Sequence, residues 1–152
     1  MTAGDHKAAQ YKAAQNKAAE NKAAENKALL RHIYTEASRR NPSPLLETLA
    51  EDAVWTIIGS TFLSATFRGK DAILTRLLGP LAASTENGVT FTIERLIAEN
   101  DHVVLIANGT ATAKTGRPYN NSYCIVARFT DGKIVAMTDY IDTELITSAL
   151  LP

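Results

Sequence analysis

Few side chains in this sequence are equipped for chemistry, and most of those lie in its last third. Asp139 alternates with Met137 and Ile141, so the three share one face of a strand. A carboxylate in apolar company has a raised pKa, which suits it to general acid or base work. On the preceding segment, Tyr119, Asn121, Tyr123, Ile125 and Ala127 share one face, and Asn120, Ser122, Cys124, Val126 and Arg128 the other. Tyr123 is a candidate donor to an oxyanion. Cys124 is the only cysteine, which excludes an intrachain disulfide and a zinc cage built on several thiolates. No metal site is expected, and no cofactor. His32, on a helix, and His102, at a turn, read as surface residues.

These groups sit in a chain of 152 residues with 16 Lys+Arg against 16 Asp+Glu. The length suits one domain of ordinary size. The balanced charge argues against a nucleic-acid partner, which would call for a net basic face. No apolar run approaches the roughly 18 residues of a membrane span, and residues 1–7 carry no apolar signal core. The expectation is a soluble, cytoplasmic protein that engages neither membrane nor nucleic acid.

Two kinds of sequence are joined. Lysines recur at Lys7, Lys12, Lys17, Lys22 and Lys27 in a KAAQ/KAAE repeat of strong helix formers. Five residues advance about 500°, so the alanine pairs precess around the axis and leave no fixed apolar seam. Such repetition beside ordinary sequence reads as an engineered helical extension over residues 1–26, with a domain over 27–152. An oligomerisation helix with an alanine seam is the alternative. Residues 5–41 hold neither Gly nor Pro, which predicts one continuous helix capped by Asp5 and ending near Arg39-Arg40-Asn41.

Within the domain, Leu29, Leu30, Ile33, Tyr34 and Ala37 form an apolar stripe on that helix. Ser43 as N-cap and Pro44 open a second helix to about Ala50, and residues 53–58 form a strand. A third helix runs from Ala72 to Leu78, stopped by Gly79-Pro80. Strands then follow over 89–98, 102–114, 118–129 and 133–142, separated by turns at Glu99-Asn100-Asp101, Thr115-Gly116 and Asp131-Gly132. Three N-terminal helices and a run of strands predict an α+β fold, with helices on one face of a curved antiparallel sheet.

Residues 49–55 (LAEDAVW), 67–73 (FRGKDAI), 115–120 (TGRPYN), 129–134 (FTDGKI) and 139–142 (DYID), in that order and spacing, carry a resemblance. The chain is similar to the cone-shaped superfamily of nuclear transport factor 2, ketosteroid isomerase, SnoaL-like polyketide cyclases and limonene epoxide hydrolase. That resemblance implies a sheet curled around a deep, mostly apolar pocket. It places Tyr119, Asn121, Tyr123, Ile125 and Ala127 inside, with Ile106, Asn108, Thr110 and Thr112 from the preceding strand and Met137, Asp139 and Ile141 from the last. Trp55 and Ile57 join from the first strand and Tyr34 from the first helix. Asp139 and Tyr123 are the catalytic candidates. Tyr34, Trp55, Ile57, Ile106, Asn108, Thr110, Asn121, Ile125 and Ile141 are the candidate ligand-pocket residues.

The departures matter. At the positions corresponding to the epoxide hydrolase's catalytic set stand Trp55, Ile57, Ile106, Asn108 and Asp139, so only the last acid remains. Where the isomerase needs a carboxylate base and an oxyanion-hole aspartate, Ile57 and Ile125 stand. Asp139 is therefore either an acid–base centre for a small, largely apolar cyclic molecule of terpenoid, steroid or polyketide type, or a structural group bonded to Asn108, Asn121 or Tyr123. A third reading is a ligand-binding domain serving as a dimeric base for a designed rigid helix. The outward face at Ser122, Cys124 and Val126 predicts a homodimer through the sheet. Asp142 and Glu144 read as solvated or capping groups.

Overall fold

A computed structural model of the chain describes residues 2–151. Helix α1 (Ala3–Ser38) is continuous, about 54 Å long at 1.5 Å per residue. Its cap is Thr2 and not Asp5: the Thr2 hydroxyl accepts from the Asp5 amide while the Asp5 carboxylate takes the Thr2 amide. Asp5 serves as the third helical residue of this reciprocal capping box. Residues 2–22 are solvent-exposed, and the first half-buried positions are Ala23 and Asn26. Only from there does α1 turn one stripe to the domain, through Leu30, Ile33 and Tyr34.

A short helix, α2 (Ser43–Thr48), leads directly into strand β1 (Leu49–Ile57). The helix was expected to reach Ala50 and the strand to begin at Ala53. Instead Leu49 is buried and paired with Ile134, and a register irregularity before Val54 carries Glu51 and Asp52 out into solvent. Pro42 occupies the cap position, so Ser43 is already helical. Strand β2 (Ala65–Arg68), not anticipated from the sequence, pairs with β1.

The third helical segment, α3 (70–84), does not stop at Gly79-Pro80. A π-helical stretch, Ile73–Leu78, ends with the Gly79 amide bonded to the Leu74 carbonyl, and the helix continues as Gly79–Ser84. The widened turn makes room where the proline ring would otherwise strike the carbonyl four residues back.

Strands β3 (Thr90–Glu99), β4 (His102–Thr112), β5 (Pro118–Thr130) and β6 (Lys133–Ile141) complete a six-stranded sheet of order β2-β1-β6-β5-β4-β3. The fold is α+β, as expected, but the sheet is mixed and open: β1 runs parallel to β6, and every other pairing is antiparallel. A closing turn, α4 (143–150), is capped by the Asp142 side chain, which accepts from the Glu144 amide. The covered face of the sheet carries the core, including Leu105, Ala107, Ile125, Ala127 and Met137. On the opposite face Val104, Ile106, Cys124 and Val126 are half-buried, and Ile97 and Tyr140 are each 49% exposed. Among the described residues, no helix is long and apolar enough to cross a membrane.

Because residues 2–22 are solvent-exposed throughout and bury nothing in the core, their deletion should leave the domain's melting temperature within about 4 °C, less than the shift of a lost core contact. Circular dichroism should lose much of its helical signal. A collapse in melting temperature would instead make the repeat part of the fold.

Candidate functional site

Between α1, α2, α3 and the covered face of the sheet lies an apolar cavity of about 180 Å³. Trp55, Tyr123, Ile125 and Asp139 form its sheet side and Tyr34 and Ile33 its α1 side, while half-buried Leu45, Leu81 and Val89 stand nearer solvent. Larger hollows occur where α1 crosses the turns at Asn100 and Asp131, but charged residues such as Lys22 and Glu25 line them. They hold no buried titratable group.

Asp139 is the one charged side chain in the buried set, 7% exposed. Its Oδ1 accepts from the Trp55 indole Nε1–H at 2.9 Å, its only hydrogen bond among the described residues. Burial pushes the carboxyl up to about 7, and the indole bond opposes this only in part. Asp139 thus bonds none of Asn108, Asn121 or Tyr123. The register explains its neighbour: Trp55 lies opposite Met137 and Ile57 opposite Asp139 in the parallel ladder, so an indole on β1 reaches the carboxylate on β6.

Tyr34, Phe91 and Tyr123 form an edge-to-face chain with centroids 4.9 and 5.2 Å apart. The Tyr123 hydroxyl donates to the Tyr119 hydroxyl at 3.3 Å, which also accepts from Asn121 Nδ2 at 3.1 Å. The Tyr123 ring lines the cavity, but its proton is directed to Tyr119. Burial holds the Tyr123 and Tyr34 phenols well above their usual range, and the nearby Asp139 carboxylate adds to both. The Tyr34 hydroxyl has no hydrogen-bond partner among the described residues, which leaves it the free phenol of the site.

Of the other candidates, Ile125 lines the cavity with Trp55 and Tyr34. Ile57 is buried in the core beside it, and half-buried Ile141 packs against the core opposite Tyr123. Asn121 is buried but clamps the chain, exchanging bonds of 3.0 Å with the Asp142 amide and carbonyl. The expected inward placement of Ile106, Asn108 and Thr110, with Thr112, is corrected: all four lie on the opposite face. There Asn108 bonds Glu94 and accepts from Ser122 at 3.3 Å.

The reason is the β4–β5 turn. A two-residue Thr115-Gly116 turn would pair even with odd positions. The chain instead makes a three-residue loop, with Ala113 bonded to Arg117 and Gly116 at φ 83°. The extra residue turns Leu105, Ala107 and Gly109 inward. A Cβ on Gly109 would lie 2.6 Å from Tyr123 Cε2, so this glycine gives the tyrosine ring its space. Phe91 and the α3 leucines are absent from the expected pocket residues, although Phe91-x-Ile93 alternates as an inward-facing strand should. At the mouth, Arg40 (φ 67°) ties α1 to the following segment through Val89 O at 2.9 Å and Thr90 Oγ1 at 3.0 Å.

The curled sheet, the long crossing helix and the cavity between them make this a nuclear transport factor 2-like cone fold. Within that class, residues 30–137 match the SnoaL-like domain, and the chain belongs to that family. Relatives are distant. Protein Rv0034 of Mycobacterium tuberculosis is 22% identical over 112 residues, 74% of this chain and 85% of the relative. The structure of Bal32a, from a soil-derived mobile gene cassette, superposes with a TM-score of 0.77 at 20% identity, covering 86% of this chain and 99% of that one. A ketosteroid isomerase-like protein of Catenulispora acidiphila, in complex with trimethylamine, gives 0.66 at 21% identity, covering 82% and 93%.

Proposed function

We propose that the chain binds a small, largely apolar cyclic molecule in this cavity and that Asp139 exchanges a proton with it. The observation that carries this is a carboxyl buried in an apolar cavity, with a single neutral donor and a pKa near 7. A carboxyl raised toward neutrality in this way can serve as acid or base. The volume is that of a one-ring ligand: a dry cavity of roughly 150 Å³ accommodates benzene. A steroid or fused polyketide would have to extend through the mouth. The trimethylamine complex of the Catenulispora neighbour supports a ligand of small size.

Trp55 is the only tryptophan, so its fluorescence reports on the site. Titration with cyclohexanone should change it saturably. In D2O, the protein should accelerate loss of the ketone's α-proton NMR signal, as Asp139 removes a proton and the resulting enolate takes a deuteron. Asp139→Asn should keep the binding and slow the exchange about 100-fold, a typical general-base contribution. Equal rates would leave a non-catalytic binding domain. An unresponsive fluorescence would remove the cavity as a ligand site.

The expected partner is a second copy. Val104, Ile106, Cys124 and Val126, with exposed Ile97 and Tyr140, make an apolar strip on the uncovered sheet face, larger than scattered surface residues require. Sedimentation at micromolar concentration should give a dimer that Val126→Lys dissociates. A monomeric parent chain would contradict the pairing.

A further inference from the structure

The cavity makes a demand that a neutral ligand does not meet. Asp139 is more than nine-tenths buried, and Trp55 satisfies one of its oxygens. The second oxygen has no protein partner among the described residues. No buried side-chain oxygen among them lacks both a partner and access, so this oxygen opens to the cavity. Among the described residues lining the cavity, none is basic. The titratable groups facing Asp139 are Tyr34 from α1 and Tyr123 and Tyr119 from β5, all phenols held neutral. A carboxylate buried in this way lacks the cation that ordinarily accompanies one.

Four aromatic side chains, Tyr34, Trp55, Phe91 and Tyr123, line the same space. Aromatic faces carry negative potential and attract cations, more strongly where water is excluded. The free Tyr34 hydroxyl offers a lone pair beside the carboxylate. Ile33, Leu78 and Leu81 supply apolar wall, and the one further hydroxyl in the lining, Thr85, is bonded to Ala82 O and the Gly88 amide.

Building on the ligand-binding role given above, we infer that the cavity selects a one-ring hydrocarbon bearing an ammonium group, the ammonium bound between Asp139 and the Tyr34 hydroxyl. The carboxylate then supplies the charge, the aromatic rings the cation-compatible wall, and the leucines the fit to the ring. Arg40, whose guanidinium is engaged at the mouth with Ser38, Val89 and Thr90, stands outside the cavity lining.

The test compares three probes of the same size on the full chain: cyclohexylammonium, cyclohexanol and cyclohexanone, by calorimetry and Trp55 fluorescence between pH 6 and pH 8. An alkylammonium stays protonated throughout this range. The carboxyl, with its pKa near 7, goes from mostly protonated to mostly ionised. Cyclohexylammonium should therefore bind about tenfold more tightly at pH 8 than at pH 6. It should bind at least tenfold more tightly than cyclohexanol at pH 8. Asp139→Asn should abolish that preference, and a cooperative urea unfolding transition shows that the variant is folded. Tyr34→Phe should weaken the amine more than the alcohol. If cyclohexanone or cyclohexanol is preferred, and binds more weakly as pH rises, the inference falls while the ligand-binding role stands. If none of the three binds at millimolar concentration, both fall.

Discussion

One hydrogen bond organises this site: the Trp55 indole N–H to Asp139 Oδ1, 2.9 Å long and 84 residues apart in sequence. It joins the first long strand to the last, across the only parallel pairing in the sheet. A buried carboxylate is expensive to hold, and one neutral donor compensates it only in part. The remainder appears as a carboxyl that releases its proton near pH 7. Such an uncompensated group is a poor way to hold a core together. It is suited to a site where proton or charge must be met by something that enters.

The fold supplies the conditions for this. Helix α1 crosses the sheet through Leu30, Ile33 and Tyr34, closing the apolar space without placing a charge in it. The π-helical stretch in α3 takes the chain past Pro80, bringing Leu78 and Leu81 to the same cavity. On β4 the inward residues opposite the Tyr123 and Phe91 rings, Ala107 and Gly109, are small, which gives those rings their volume. Polar groups of the core are otherwise tied to one another. Asn121 holds Asp142, and Tyr123 is bonded to Tyr119. Among the described lining residues, the second Asp139 oxygen and the Tyr34 hydroxyl are the side-chain polar groups left without a hydrogen-bond partner.

Much of this was legible in the sequence, and the misses share a cause. The apolar stripe of α1 identified Tyr34, and alternation on β5 and β6 grouped Tyr123 with Ile125 and Asp139 with Met137. The inward face of β4 was present in the alternation, since Val103, Leu105, Ala107, Gly109 and Ala111 carry no polar group, but the family resemblance put the even positions inside, and one extra loop residue reverses that assignment. Asn108 and Thr110, chemically inviting, consequently fall on the wrong side of the sheet. The partner of Asp139 was hidden for a related reason. Trp55 was placed near the pocket, but the parallel β1–β6 register that aims its N–H depends on long-range pairing, for which the local sequence carries no signal. Gly79-Pro80 resembles a helix stop unless the turn before it widens.

Asp139 behaves as a desolvated acid and not as a paired anion, because burial raises its carboxyl and no cation faces it among the described lining residues. Its folded pKa, near 7, lies above the reference value of 3.8. The folded state therefore holds the proton more tightly than the unfolded chain does. The associated stability is complete below about pH 3.8 and is lost as pH rises through 7. The direct measurement is urea unfolding of the parent chain and Asp139→Asn at intervals from pH 4 to pH 8. The parent should lose stability relative to the variant as pH rises, with the steepest change between about 4 and 7 and a levelling above it. A difference that stays flat, or a parent that gains stability with pH, would show a carboxylate stabilised in its charged form and would contradict the account.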